Sequence, residues 1–171
     1  MSKKIVLIGP PGAGKSTVGR ALAKLLNLDF IDSDKEIERV TGRKISEIFV
    51  EDGEDFFRKI ELSTVKELLN NFNGVISLGG GAPINSEIQA ILQNGNFEVI
   101  FLDVSISQAA NRIGFNKERP LLLVNPRQQW IKLMNDRRSI YENVSNQYLL
   151  TDSKKPAEAA EEIAAILGSL K

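Results

Sequence analysis

A short apolar run that passes straight into a glycine-rich loop and then a helix constrains this chain more than any other feature. Residues 5–8 read Ile-Val-Leu-Ile, the unbroken apolar pattern of a parallel strand buried on both faces. Gly9-Pro-Pro-Gly-Ala-Gly-Lys-Ser-Thr17 follows, and beyond it Val18, Ala21, Leu22, Leu25 and Leu26 recur at helical spacing. Gly9, Gly14, Lys15 and Ser16 satisfy the Gly-x4-Gly-Lys-Ser/Thr pattern of a phosphate-binding loop, in the strand–loop–helix context that pattern requires. Glycines let the backbone curl until several amides, those of residues 12–17, point at phosphate oxygens. The helix that starts there adds the positive end of its dipole. Lys15 would reach the terminal phosphates, Ser16 would ligate magnesium, and Thr17 would add a further donor. The alternative is a glycine turn that merely joins strand to helix. By average composition the four fixed positions would coincide by chance in well under about 1% of chains this long.

Strand and helix patterns alternate along the rest of the chain. Strands are expected at residues 29–31, 75–78, 98–102 and 148–151. Helices are expected at 34–40, in a short turn at 46–50, past Gly53 through Leu69, and at 86–93, 107–113 and 156–170. A further helix follows Asn125, a plausible cap, with Pro126 at its first position. Such alternation predicts one α/β domain over 1–171, a three-layer sandwich with a mostly parallel five-stranded sheet.

Composition then narrows the chemistry. The chain has no cysteine and no histidine, which removes disulfides, zinc-thiolate sites, a thiol nucleophile, a Ser-His-Asp triad and an imidazole base. Catalysis has to use carboxylates, lysine, arginine, hydroxyls, backbone amides or a hard metal ion. Twenty-two basic residues balance twenty-two acidic ones, which argues against a nucleic-acid partner bound by overall positive charge. No apolar stretch approaches the length of a membrane helix, so a cytoplasmic protein without a membrane partner is expected. No long apolar surface stripe demands a second subunit, and a monomer is expected. Guanine specificity is disfavoured: no Asp-x-x-Gly occurs, and Asn116-Lys117-Glu118-Arg119 has arginine where a guanine-reading aspartate should stand. ATP is the default nucleotide.

Three further clusters are ambiguous alone. Asp32 and Asp34 flank a strand end; in an extended segment they would point to opposite sides, one toward magnesium and one toward a second substrate. Equally, Asp32 or Ser33 could simply cap the next helix. Gly79-Gly80-Gly81 after a buried strand costs entropy unless something must come close, and a flexible turn is the alternative. Arg112, Lys117, Arg119 and Arg127 make the stretch after residue 112 basic; it could fold over a phosphate site or be an ordinary solvated loop. Arg137 and Arg138, next to the helical stripe Trp130, Leu133, Met134 and Tyr141, read by default as a solvated helix end.

Taken together, the phosphate loop, Asp32-Ser-Asp34, Gly53-Glu-Asp-Phe-Phe-Arg58, Leu78-Gly-Gly-Gly81, Arg119-Pro-Leu-Leu122 and the late Arg137 with Tyr141 resemble the shikimate kinase family, in order and spacing from about residue 5 to 141. The resemblance implies a P-loop fold like that of the nucleoside monophosphate kinases, with a substrate-binding insert near 33–61 and a lid near 112–124. It implies ATP-dependent phosphorylation of the 3-hydroxyl of shikimate, in the pathway to chorismate and the aromatic amino acids. It also implies roles. Lys15, Asp34 and Arg119 would be catalytic, with Asp34 the candidate base and Arg119 swinging onto the phosphates. Gly12, Ala13, Gly14, Lys15, Ser16, Thr17, Arg112, Arg119 and Lys154 would contact nucleotide. Asp34, Arg58, Gly79, Gly80, Gly81 and Arg137 would hold shikimate, the arginines on its carboxylate. Ser16 and Asp32 would hold Mg2+. A planar carboxylate independently calls for guanidinium forks. The competing readings are another small-substrate kinase, such as one for gluconate, and a catalytically silent nucleotide-binding module.

Overall fold

A computed structural model of the chain describes residues 4–113 and 125–168. Five strands form one sheet: β1 (Lys4–Ile8), β2 (Phe30–Asp32), β3 (Val75–Ser77), β4 (Phe97–Asp103) and β5 (Gln147–Leu150). Their order is β2-β3-β1-β4-β5, and every pairing is parallel. Sequence explains the placement. The apolar runs of β1 and β4 sit in the interior of the sheet, where residues 5–8 and 97–103 are buried. At the edge, β5 alternates, with Leu149 buried and Tyr148 and Leu150 exposed.

The connecting helices are α1 (Lys15–Leu26), α2 (Ser33–Thr41), α3 (Ile45–Asp52), α4 (Glu54–Asn71), α5 (Ser86–Asn94), α6 (Ile106–Ile113), α7 (Pro126–Val144) and α8 (Pro156–Gly168). Helices α1 and α8 pack together, and α5 contacts both α4 and α7, giving the three layers expected. Among the described residues no helix is long and apolar enough to cross a membrane.

The expected elements are all present, with ends displaced by one to three residues. The principal differences lie at two helix starts. Asn125 precedes α7 with φ 47° and makes no side-chain cap bond, so its backbone turn, rather than its amide, opens the helix. Asp32 and Asp34 are not an extended pair, because the chain turns helical at Ser33 and Asp32 becomes the cap of α2.

Two cores exist. The large one binds sheet and helices together. A small one of Ile37, Ile48 and Phe57 joins α2, α3 and α4, so the segment after β2 is stapled internally and projects from the sheet as a unit. Because β1 leads to β2 at one edge while β4 and β5 lie on its other side, the loop after β1 opens at the crevice where strand order reverses. Ligands of open α/β sheets bind at that crevice.

Candidate functional site

The loop after β1 has the curled backbone a phosphate site needs. Gly12 and Gly14 lie at φ 85° and 88°, a conformation L-residues with a Cβ adopt at a cost. Gly14 is the N-cap of α1 without any side-chain cap, so the first amides of the helix face the loop. Lys15 Nζ donates to the Gly9 and Pro10 carbonyls (2.8 and 3.0 Å), and Thr17 Oγ1 donates to the Gly14 carbonyl at 3.2 Å.

Two clefts flank this loop. One, of about 440 Å³, is lined by the loop, Arg112, Ile113 and Pro156. The other, of about 490 Å³, lies between the loop, α2, α4, residues 79–81 and α7. They share Ser16, Asp32, Asp34, Gly79 and Gly80. These shared residues are the junction of the two clefts.

At the junction the capping reading of Asp32 holds, and the same carboxylate also meets Ser16. Its Oδ2 accepts from the Ser16 hydroxyl, while Oδ1 accepts from the amides of Asp34 (2.9 Å) and Lys35 (3.2 Å) as an N-cap. Capping α2 aims Asp34, in its first turn, into both clefts.

In the larger cleft two guanidinium groups converge. Arg58 on α4 donates from Nη1 to Glu61 at 2.7 Å and from Nη2 to Glu54 at 3.3 Å. Glu61 is 2% exposed. Burial pushes its carboxyl above the ordinary range, although Arg58 and Arg137 pull the other way. Burial alone would depress Arg58; Glu61 and Glu54 outweigh it and hold the guanidinium more firmly charged. Arg137, expected by default at a solvated helix end, is instead buried at 7% exposure. Its stripe with Trp130, Met134 and Tyr141 is the buried face of α7.

The three consecutive glycines are neither a loose turn nor a matter of φ, since none has positive φ. They make room for side chains. A Cβ on Gly79 would lie 2.6 Å from Asp34 Oδ1, one on Gly81 2.7 Å from Arg58 Cζ, and one on Gly80 3.4 Å from Arg137 Nη1. Gly79 and Gly81 thus clear space for Asp34 and Arg58, whereas a Cβ on Gly80 would meet Arg137, the Gly9 carbonyl and Pro11 alike at ordinary contact distance. Ser33 Oγ accepts from Gly79 N at 2.9 Å, tying the turn to the start of α2.

Not every expected residue lines a cleft. Arg112 faces the smaller cleft, but its guanidinium is engaged with the Gly12 and Ala13 carbonyls (3.2 and 3.4 Å) and with Thr151 Oγ1 (2.8 Å); it braces the phosphate loop. Lys154 does not line either cleft: its Nζ donates to the Leu150 carbonyl at 2.7 Å and sits 3.7 Å from Glu162. Arg119 lies outside the described residues. Sequence reasoning missed Glu61, whose i,i+3 spacing from Arg58 was the available signal. It also missed Trp130 Nε1 donating to the Pro11 carbonyl (2.8 Å), the Tyr141 hydroxyl donating to the Gly80 carbonyl (2.6 Å), and the Asp103–Arg138 pair.

Comparison with known proteins bears on the fold and the family. The family model described as shikimate kinase matches residues 11–167. A shikimate kinase of Thermobifida fusca is 48% identical over 159 residues, 93% of this chain and 91% of its own. The structure of a shikimate kinase from Acinetobacter baumannii in complex with shikimate superposes with a TM-score of 0.95 at 37% identity, covering 99% of this chain and 94% of that one. A gluconokinase from Sinorhizobium meliloti, at 21% identity and a TM-score of 0.62 over 98% of this chain and 93% of its own, shares the fold.

Proposed function

The chain belongs to the shikimate kinase family, and on that premise we propose that it transfers the γ-phosphoryl group of ATP to the 3-hydroxyl of shikimate. The observation that carries this reading is the junction of the two clefts at Ser16, Asp32, Asp34, Gly79 and Gly80. A nucleotide whose phosphates lie on the loop points its terminal phosphate at that junction. An acid whose carboxylate lies on Arg58 and Arg137 presents its ring hydroxyls there from the other side.

In the reaction the acceptor oxygen attacks the γ-phosphorus as its proton passes to the Asp34 carboxylate. The bond from that phosphorus to the β–γ bridging oxygen breaks and ADP leaves. Transfer of this kind is driven mainly by positioning and by neutralising charge on the transferred group, so a chain without histidine loses nothing by it. Lys15 and the loop amides take up charge on the β- and γ-phosphates. Arg119 would add to this from the lid near residues 112–124.

The hydrogen-bonded Ser16 hydroxyl and Asp32 carboxylate suit Mg2+, a hard cation that needs oxygen donors and keeps several waters. Ser16 would ligate it directly and Asp32 through water, and the ion would neutralise phosphate charge. Among the described residues there is no cluster of three or more His, Cys, Asp or Glu that could hold a metal, as fits an ion carried largely by phosphates. The working unit in this reading is a cytoplasmic monomer. The test is ADP release with MgATP and shikimate, gluconate or no acceptor. Release with shikimate alone supports the assignment, and nucleotide binding without turnover on any acceptor overturns it.

A further inference from the structure

Tyr141 lies on α7 one turn beyond Arg137, 0% exposed, with its ring against Phe101 at 5.2 Å between centroids. Burial pushes its phenol above the ordinary tyrosine range, against the opposing pull of Arg137 and Arg58, so the hydroxyl keeps its proton at neutral pH. That proton is donated to the Gly80 carbonyl at 2.6 Å, and the Arg137 guanidinium lies beside the same residue, its Nη1 3.4 Å from where a Gly80 Cβ would stand. One buried hydroxyl therefore holds the glycine turn at the residue that Arg137 lies beside.

The peptide geometry gives this contact a direction. No described peptide bond is cis, and a trans peptide points its carbonyl and its amide hydrogen in opposite directions. With the Gly80 carbonyl held inward by Tyr141, the Gly81 amide in the same peptide is turned away from the core. Gly81 lines the acceptor cleft, and its N–H has no acceptor among the described residues. The neighbouring Gly79 carbonyl is likewise occupied, by Ala82 N at 3.0 Å.

We propose that Tyr141 is a positioning residue for the acceptor: its hydroxyl fixes the Gly80–Gly81 peptide beside the Arg137 fork, so that a guanidinium and a backbone amide meet the same bound acid. The proposal rests on the reading of this cleft as the shikimate side. The hydroxyl touches no substrate and acts only through this peptide, so its loss should weaken the acceptor and leave the nucleotide alone.

The test is calorimetric titration of wild type and Tyr141→Phe with shikimate and, separately, with MgADP. Wild type should bind shikimate; if it does not, the functional reading fails and this inference with it. Given that binding, Tyr141→Phe should raise the shikimate Kd about tenfold, the scale of loosening a hydrogen bond to a charged group, with the MgADP Kd unchanged within twofold. Equal shikimate affinity in the two proteins, or an equal loss for both ligands, would overturn the inference and leave the functional reading standing. A second measurement needs no variant. In wild type labelled with 15N-glycine, shikimate should shift the Gly81 amide resonance, and an unmoved Gly81 signal at saturation would sink the proposal even if the phenylalanine variant does not fold.

Discussion

Replacing Gly81 by alanine should separate the fold from the reaction. Gly81 has φ −91°, an ordinary conformation for alanine, so the backbone bears no strain. The added methyl would lie 2.7 Å from Arg58 Cζ, where carbon–carbon contacts normally sit at about 3.5–4.0 Å. The guanidinium must therefore move by about 1 Å. For the fold this is cheap, because it is the far end of a flexible side chain. The loss should not exceed about 1 kcal/mol, the net worth of one weakened hydrogen bond to Glu61, or a Tm shift of about 2–4 °C for a chain of this size. For the reaction it is costly, since a displacement of about 1 Å in a positioning group can lose about 100-fold. That factor is about 2.7 kcal/mol in kcat/KM. Gly81 lines only the acceptor cleft, so the loss should fall on the KM for shikimate and spare that for ATP. Steady-state kinetics with each substrate varied, beside a thermal melt, decides it. Gly53→Ala is the control: its Cβ meets nothing within 4 Å, but φ is 87°, so it should lower Tm and leave both KM values alone. A shikimate KM for Gly81→Ala within twofold of wild type would refute the clearance argument.

Asp34→Asn should cut kcat by two orders of magnitude or more while changing shikimate affinity little, because the amide keeps the shape but accepts no proton; near-normal kcat in a stopped assay would remove Asp34 from the chemistry. The Asp103–Arg138 pair makes a prediction in pH. Burial pushes the Asp103 carboxyl up, but hydrogen bonds from Arg138, Tyr148 and Val104 N outweigh it and the net shift is downward. A carboxyl depressed in the folded state contributes stability above its unfolded value of 3.8, and that contribution is lost as pH falls through the folded value. Arg138→Ala should thus lower Tm at pH 7 by an amount worth about 1 kcal/mol, allowing for a half-exposed guanidinium, and the deficit should shrink below about pH 4. Melting curves from pH 3 to 7 with a constant deficit would show that the pair is not its source.

The parts of the site readable from sequence are those whose geometry is local. A strand, a curled loop and a helix start lie within thirteen residues, 5–17, and their spacing alone dictates where Lys15 and Ser16 point. Asp32 was half readable: its capping of the next helix could be named, but only the turn of the chain at Ser33 shows that the capping carboxylate also accepts from Ser16. Arg137 could not be placed by periodicity. Its helical spacing from Trp130 and Met134 marks a face, and whether that face meets solvent or core depends on a glycine turn 57 residues earlier in the chain. The same holds for Tyr141 and Gly80, for Trp130 and Pro11, and for Arg138 and Asp103, contacts made across 61, 119 and 35 residues.

The glycine turn shows why such contacts matter for the reaction. Three groups that would meet a small acid, Asp34, Arg58 and Arg137, come from three different helices, α2, α4 and α7; Asp34 and Arg58 fill the space that Gly79 and Gly81 leave, and Arg137 lies beside Gly80. Two of those helices reach the turn through further hydrogen bonds, Ser33 to Gly79 N and Tyr141 to the Gly80 carbonyl, while α7 also holds the phosphate loop through Trp130. A shift of any one helix would therefore be felt at the turn and, through α7, at the loop. Local sequence patterns build each helix, but the spacing of Asp34, Arg58 and Arg137 is set at residues 79–81, where the absence of side chains on Gly79 and Gly81 lets α2 and α4 close on the turn that α7 holds through Tyr141.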